Sequence, residues 1–236
     1  MDGKKPYIMA FPLRGEWLAP NTPGTRVPSH GTNRFGTRYA VDFIQVDWNR
    51  RGRPSYSASL IKYLILGLSM DEYYCWGQPI FSPCDGRVVQ VKDGYREPKR
   101  TNLWRDMHKA FINARHFDPS KNDIQSIAGN FVIIESEESV YAALIHLRKG
   151  SISVTEGQSI KAGEAIGMVG HSGNSYMPHL HFQLMDSIDI DKAMGLPFVF
   201  DRYEMFKGGR WQEVRNHIPE NRDRIRFIES YGFDSN

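Results

Sequence analysis

The sequence predicts a mainly β protein built on an antiparallel sheet or sandwich, with helical or loop insertions, and three observations carry this prediction. From residue 77 onward, short apolar stretches alternate with turns rich in glycine, asparagine and aspartate. In residues 151–175, recurring glycine turns leave room only for strands of a few residues. In residues 179–184, polar and apolar side chains alternate at the two-residue period of a strand.

Four stretches are expected to supply the main strands. The first is "RYAVDF" (38–43). Residues 78–94 hold two apolar stretches around "PCDG", which predicts a hairpin-like corner. Residues 129–147 predict two strands joined by a polar turn, and "HLHFQLMD" (179–186) predicts a further strand.

Two segments, 44–76 and 95–128, interrupt this β pattern and are interpreted as insertions. The second contains "NLWRDMHKAFINARHF" (102–117), whose apolar residues fall near helical spacing and predict a helix. Near the C-terminus we expect a loop through "MGLPFVF" (194–200) and a short helix within residues 218–233.

Length and composition indicate one folded domain with a sizeable core. The chain has 236 residues, of which 40% are apolar and 24% are charged, both near the average of globular proteins. The net charge of +3 is spread along the chain, which gives no reason to expect nucleic acid as a partner. Two cysteines, Cys75 and Cys84, exclude a disulfide-rich framework.

No segment is expected to cross a membrane. The longest apolar run, "LIKYLILGL" (60–68), contains a lysine and is less than half of the roughly 20 residues that a spanning helix needs. The N-terminus lacks the apolar region of a signal peptide, so the sequence leaves the location of the protein open.

The pair His179 and His181 is the first indication of a functional site. Side chains two residues apart on a strand point the same way and lie about 6–7 Å apart, so both histidines can serve one cleft. His146 ends a neighbouring predicted strand, and Asp42 lies between apolar residues, where an unpartnered carboxylate is costly to bury. Zinc is a suitable partner for these groups, although an isolated His-x-His is as well explained by a solvated strand face.

Six motifs in a fixed order resemble the lysostaphin/LytM-type zinc metallopeptidases, peptidase family M23. The resemblance runs from about residue 30 to residue 185 without the two insertions, and the ordered set is more specific than any single motif. The motifs are His30, "YAVDF", "GQPIFSPCDGRVV", "GNFVIIES", "LIHLRKGSISVTEGQSIKAGEAIGMVGHSGNS" and "PHLHFQL".

The resemblance implies a site and an activity. It makes His30, Asp42 and His181 the ligands of one zinc ion per chain, and His146 and His179 the catalytic histidines that assist the water at the metal and stabilise the oxyanion. The implied function is a zinc-dependent endopeptidase acting on stem or cross-bridge peptides of peptidoglycan. Such an enzyme is expected to be a monomer with a peptide or peptidoglycan substrate, located in the cell envelope or secreted.

The resemblance also implies a division of the chain. Residues 30–186 form the peptidase domain with its insertions. Residues 1–29 are an N-terminal extension, and residues 187–236 are a C-terminal extension packed on the same domain.

The sequence departs from the family in the spacing of the first two ligands. The family has a tight His-x-x-x-Asp pattern, whereas eleven residues separate His30 from Asp42 here. Two glycines in this loop allow it to fold back and bring His30 to the metal. The alternative is a surface-loop histidine, with His108, His116 or a water in its place. His171 lies in a glycine-rich turn and is interpreted as a turn residue, with a substrate contact as the alternative.

Other functions remain open at this stage. A metal-free relative could keep the fold as a binding or regulatory module of cell-wall hydrolysis. The glucose-permease IIA phosphocarrier has a related β fold and two facing histidines, and a peptidase with a substrate outside the cell wall is a third alternative.

Overall fold

The computed structural model describes residues 5–117, 121, 123–136, 138 and 140–228, and within them the protein is mainly β, as predicted. The helices are α1 (Leu60–Leu66), α2 (Leu103–His116) and α3 (Gln125–Ala128), with 3-10 turns at Arg34–Tyr39 and Met70–Glu72. The strands are β1 (Tyr7–Met9), β2 (Glu16–Asn21), β3 (Val41–Ile44), β4 (Leu68–Ser69), β5 (Pro79–Phe81), β6 (Gly86–Lys92), β7 (Arg100–Thr101), β8 (Asn130–Ser136), β9 (Tyr141–Leu147), β10 (Ser159–Ile160), β11 (Ala165–Met168), β12 (Leu180–Met185), β13 (Phe198–Lys207), β14 (Arg210–His217) and β15 (Ile225–Arg226).

One large sheet organises the described residues. Its strands follow the order β1-β13-β15-β2-β3-β12-β9-β8-β6-β10, with β14 paired to β13. β1 and β13 run parallel, and the other described pairs of this sheet are antiparallel. Strands from before residue 30 and after residue 187 therefore belong to the same sheet as β3, β12 and β9. Among the described residues, no helix is both long and apolar enough to cross a membrane.

Strand β12 places alternate side chains in the main core and on the opposite face of the sheet. Leu180, Phe182 and Leu184 are buried in the main apolar cluster, while His181 and Gln183 alternate with them and face the other side. The predicted alternation is confirmed. Burying each of these large apolar side chains contributes about 1.5–3 kcal/mol, which fixes the register of β12 and the direction of its histidine.

Two predicted supersecondary structures have different outcomes. The predicted pair of strands within residues 129–147 is confirmed, because β8 and β9 pair antiparallel. The hairpin-like corner in residues 78–94 is wrong, because β5 pairs with β11 whereas β6 pairs with β8 and β10. The corner residue Ser82 exchanges backbone hydrogen bonds with Gly163 and Glu164, so the chain changes sheets at this turn.

The C-terminal predictions are corrected by the structure. The expected loop through residues 194–200 ends early, because β13 begins at Phe198. Within residues 218–228 of the expected helix, Ile225–Arg226 instead form β15 between β13 and β2, and residues 229–233 lie outside the described part. Ile225 is buried in the main core, whereas the side chain of its neighbour Arg226 hydrogen-bonds Glu204 on β13. These adjacent residues thus have different surroundings, as in a strand with one buried face.

The helix predicted within residues 102–117 is confirmed as α2. Its start is capped by the Asn102 side chain, which accepts a hydrogen bond of 3.1 Å from the backbone N–H of Arg105. Beyond its end, the buried Phe117 ring packs edge-on against Phe35 at 5.4 Å between ring centroids. This insertion is thereby attached to the loop that carries His30.

Candidate metal centre

Asp42 lies at the centre of the site. Pairing of β3 with β12 sets it directly opposite His181, and it is only 4% exposed. Burial by itself would raise the pKa of this carboxyl group. Electrostatic attraction to His30 and His179 and the hydrogen bonds with His181 and His30 outweigh burial and hold its pKa well below the usual value. Asp42 is therefore ionised, and a positive charge beside it would stabilise this buried carboxylate.

His30 reaches Asp42 across the eleven-residue loop. Its Nε2 lies 3.0 Å from Asp42 Oδ2. The loop is closed at its base by a hydrogen bond from the Ser29 backbone N–H to the Arg38 carbonyl. Gly36 has a φ of +72°, in the left-handed region that favours glycine, and a Cβ there would come within 2.9 Å of the Gln183 amide nitrogen.

The alternative ligands for this position do not replace His30 in the described geometry. His108 lies on the exposed surface of α2, and the side chain of His116 is outside the described part of the structure. Within the described residues, the groups with metal-ligand spacing contain neither of them.

The tautomers of His30 and His181 in their neutral forms follow from their outer hydrogen bonds. The Gln183 amide donates to the Phe35 carbonyl at 2.7 Å, so its oxygen accepts from His181 Nε2 at 2.8 Å. Ser29 Oγ donates to the Thr37 carbonyl and thus accepts from His30 Nδ1 at 3.0 Å. A neutral imidazole has one N–H, which leaves His181 Nδ1 and His30 Nε2 as bare lone pairs.

These lone pairs converge on a carboxylate, and a cation between them would stabilise the arrangement. His181 Nδ1 is 2.9 Å from Asp42 Oδ1, and His30 Nε2 is 3.0 Å from Oδ2. Acceptors this close repel one another unless a proton or metal ion lies between them. The ligand atoms of these three residues lie within 4.8 Å of one another. Two imidazole nitrogens and a carboxylate oxygen form a donor set that zinc accepts, so the residues present fit the metal.

His146 enters the site through an irregularity in the sheet. Residues 145 and 147 of β9 pair with adjacent residues 131 and 130 of β8, so His146 is the extra residue of a β-bulge. Its φ of +66° lies in the left-handed region, which a residue with a Cβ seldom adopts. Regular alternation would turn its side chain into the main core. The bulge turns it instead toward His179, at 4.7 Å between ring centroids.

Both His146 and His179 are held as neutral rings with an available Nε2. Their Nδ1 atoms each lie 2.8 Å from a backbone carbonyl, that of Ser172 for His146 and that of Met177 for His179, so each Nδ1 carries the proton. Burial lowers the pKa of His146 well below 6.5, with neighbouring histidines adding to the effect. Burial also lowers the pKa of His179, against the opposing charge of Asp42.

A second group with metal-ligand spacing consists of His146, His179 and His181. It lacks a carboxylate, whereas the group with His30 brings the negative charge that offsets a divalent cation. His181 is common to both groups, so the other four predicted site residues lie around it.

The structure adds supporting residues that the sequence analysis did not assign. Gln183 orients His181 through a hydrogen bond. Its position two residues further along the same strand face could have indicated this contact from the sequence. Asn21 donates to Asp42 Oδ2 at 2.7 Å from the neighbouring β2, which no local motif indicates. Tyr176 stacks on His179 at 6.1 Å between ring centroids, and burial raises its pKa to about 12, so its hydroxyl stays protonated.

The centre opens into a cavity of about 440 Å³. This volume suits a short peptide segment better than a single water. The cavity is lined by Asn21, His30, Thr32, Arg34, Phe35, Thr37, Asp42, Ile127, His146, Asn174, Tyr176, His179 and His181.

Comparison with known proteins finds a family match for part of the chain. Residues 119–192 match the profile of Peptidase family M23. That segment contains His146, His179 and His181 and lies after His30 and Asp42.

Two curated relatives are peptidoglycan DD-endopeptidases from Vibrio cholerae. ShyA is 38% identical over 58 residues, which are 25% of this chain and 13% of that protein. ShyB is 38% identical over 109 residues, which are 46% of this chain and 18% of that protein. The matches thus span less than a fifth of each relative.

Two solved structures are also similar to the chain. The catalytic domain of lysostaphin from Staphylococcus simulans has 16% identity and a TM-score of 0.38, covering 77% of this chain and 88% of that one. A zinc-containing peptidase from Vibrio cholerae has 18% identity and a TM-score of 0.38, covering 80% of this chain and 39% of that one.

Replacing Gln183 by methionine is expected to weaken zinc binding about 10–100-fold, because His181 loses the acceptor that fixes its ring and tautomer. Zinc affinity would be measured by competition with a chromogenic chelator. The matched control is Gln212→Met on β14, whose amide hydrogen-bonds the Lys207 carbonyl. Equal zinc affinity in the two variants would contradict the role of Gln183.

Chelator-treated protein is expected to lose stability as the pH falls below 6.5. Because the folded-state pKa values of His146 and His179 are lowered, the unfolded chain binds more protons in that range, and each histidine contributes up to about 1.4 kcal/mol per pH unit. Urea unfolding on either side of this pH would measure the loss. A His146→Gln/His179→Gln variant should show a smaller slope, and an identical slope would refute the assignment.

Proposed function

We propose that this chain is a member of peptidase family M23 and a zinc-dependent endopeptidase that hydrolyses peptide bonds in stem or cross-bridge peptides of peptidoglycan. The family match supports a peptidase activity for this chain. The peptidoglycan substrate is supported by the two endopeptidase relatives, whose names specify it.

The observation that carries the proposal is the convergence of bare acceptors beside an open cavity. His30 Nε2, His181 Nδ1 and the Asp42 carboxylate face one another, and each ring has its proton engaged on the outer side. A solvated strand face would not bury Asp42 and His181 to 4% and 6% exposure. Three ligands on one side leave the cavity side open, as catalytic zinc sites require.

We assign His30, Asp42 and His181 as the zinc ligands. When bound, zinc supplies Lewis-acid chemistry: it polarises a carbonyl oxygen and makes water acidic enough to lose a proton near neutral pH. Asn21 holds Asp42 Oδ2, and Gln183 holds His181, so both ligands are oriented before the metal arrives.

We assign His146 and His179 as the catalytic histidines. Each donates its Nδ1–H to a backbone carbonyl and keeps Nε2 free, which makes it a proton acceptor at neutral pH. A ring that has taken up a proton becomes an N–H donor, suited to hydrogen-bond the negative oxygen of a tetrahedral intermediate. The rings lie 4.7 Å apart between centroids, so one can accept a proton while the other donates.

The first experiment measures zinc content and hydrolysis in the same set of proteins. Wild type purified without added metal should contain about one zinc ion per chain. Substitution of His30 or His181 by alanine should abolish zinc binding, because two ligands hold zinc poorly. Substitution of His146 or His179 should leave zinc in place and lower the hydrolysis rate about 10²–10⁴-fold. Hydrolysis is followed by mass spectrometry on purified peptidoglycan and its soluble cross-linked fragments.

His108→Ala is the matched control, because this exposed histidine lies on α2 and should change neither measurement. Wild type that binds no zinc even after incubation with it would overturn the proposal. Wild type that binds zinc but cleaves no peptidoglycan fragment would overturn the proposed substrate.

A further inference from the structure

A second, larger cleft lies next to the metal cavity. It has a volume of about 1030 Å³ and is formed by residues 94–100, the start of α2 and the turn at residues 171–175. Gly173 and Ser175 line this cleft, whereas Asn174 and Tyr176 of the same turn line the metal cavity. The two spaces therefore share one wall, and a substrate chain leaving the metal cavity over this turn enters the cleft.

The cleft has a fixed wall rather than a loosely placed loop. Glu97, from the second insertion, accepts hydrogen bonds from the backbone N–H of His171 at 2.6 Å and of Lys149 at 3.0 Å. It also accepts from the indole of Trp76 at 3.3 Å. These bonds attach the insertion to the turn that shapes the catalytic site.

Side chains also link the cleft to a catalytic histidine. His171, which lines the cleft, has its Nδ1 2.9 Å from Ser175 Oγ, and this hydroxyl lies 3.1 Å from His179 Nδ1. A group bound in the cleft is thus separated from His179 by two side chains. At that separation, the cleft could hold a residue of the substrate peptide that lies a short distance from the cleaved bond.

The cleft carries an excess of positive charge. Its basic side chains are Arg96, Lys99, Arg100 and Arg105, and its acidic ones are Glu97 and Asp106. Arg105 is paired with Asp106 at 2.8 Å, and the Glu97 oxygens are occupied by N–H groups.

Two of these cations are available to a ligand. Arg96 and Lys99 are exposed, and neither has an ion-pair partner within the described residues. Arg100 instead donates to the carbonyls of Leu66 and Gly67, and no acidic side chain in the described part of the chain forms an ion pair with it.

We propose that this cleft is a substrate subsite that binds a free carboxylate of the peptide, with Arg96 and Lys99 as its contacts. The inference rests on the proposed endopeptidase function and deepens it, because it makes the insertion at residues 95–128 a determinant of specificity. A guanidinium binds a carboxylate through two parallel hydrogen bonds, and the fixed wall keeps the subsite in line with the scissile bond.

The test compares two substrates that differ only in charge: a soluble cross-linked peptidoglycan fragment, and the same fragment with its carboxyl groups converted to amides. For zinc-loaded wild type, kcat/KM should be about tenfold higher for the carboxylate form, mainly through KM. In Arg96→Ala/Lys99→Ala, the ratio of the two kcat/KM values should fall to near one. The control Lys207→Ala/Arg210→Ala removes two exposed cations at the β13–β14 turn and should keep the wild-type ratio.

Binding measurements separate this inference from the proposed function. Calorimetry with the same two fragments uses His181→Ala, which should not cleave them, with and without the Arg96→Ala/Lys99→Ala change. Tighter binding of the carboxylate form that disappears in the triple variant supports the subsite even where wild type cleaves nothing. Equal binding of the two forms to His181→Ala, or a preference that survives loss of both cations, would overturn the subsite.

Discussion

The burial of one carboxylate, Asp42, is the constraint on which the rest of the site depends. A carboxylate at 4% exposure is unfavourable unless positive or hydrogen-bonding groups surround it. Here Asn21 donates a hydrogen bond to it, and His30, His179 and His181 each place a ring nitrogen within 3.6 Å of its oxygens, where a shared proton or a metal ion offsets its charge. Pairing of β3 with β12 makes the arrangement possible, since it sets Asp42 opposite His181. The apolar face of β12 fixes that register from the other side of the sheet.

Two departures from regular geometry complete the centre. The bulge at His146 rotates a histidine out of the core side of β9, at the cost of a left-handed backbone conformation. The glycine at 36 lets the loop carrying His30 lie against Gln183, the residue that orients His181. Strain and close approach are thus concentrated where the five candidate site residues meet. The second insertion adds a wall on the other side, through Glu97 and the turn that positions His179.

Much of this site could be predicted from the sequence, because its residues lie in motifs with a strand period. The alternation around His179 and His181 and the isolated Asp42 indicated both a shared face and a need for a cation. The end of a neighbouring predicted strand indicated His146, and the family resemblance then suggested His30. Three features could not be predicted: the bulge at His146, the hydrogen bond from Asn21 to Asp42, and the basic cleft. Each depends on which strands and loops become neighbours. The same limit explains the errors at β5–β6 and β15, where pairing partners distant in sequence decided the local structure.

The central claim is that His30, Asp42 and His181 hold one zinc ion in a site prepared by their hydrogen bonds. Anomalous X-ray diffraction from zinc-loaded crystals, collected on both sides of the zinc absorption edge, tests it most directly. The account predicts a single strong anomalous peak per chain, bounded by His30 Nε2, the Asp42 carboxylate and His181 Nδ1. A peak among His146, His179 and His181 instead, or no peak in zinc-soaked crystals, would contradict it.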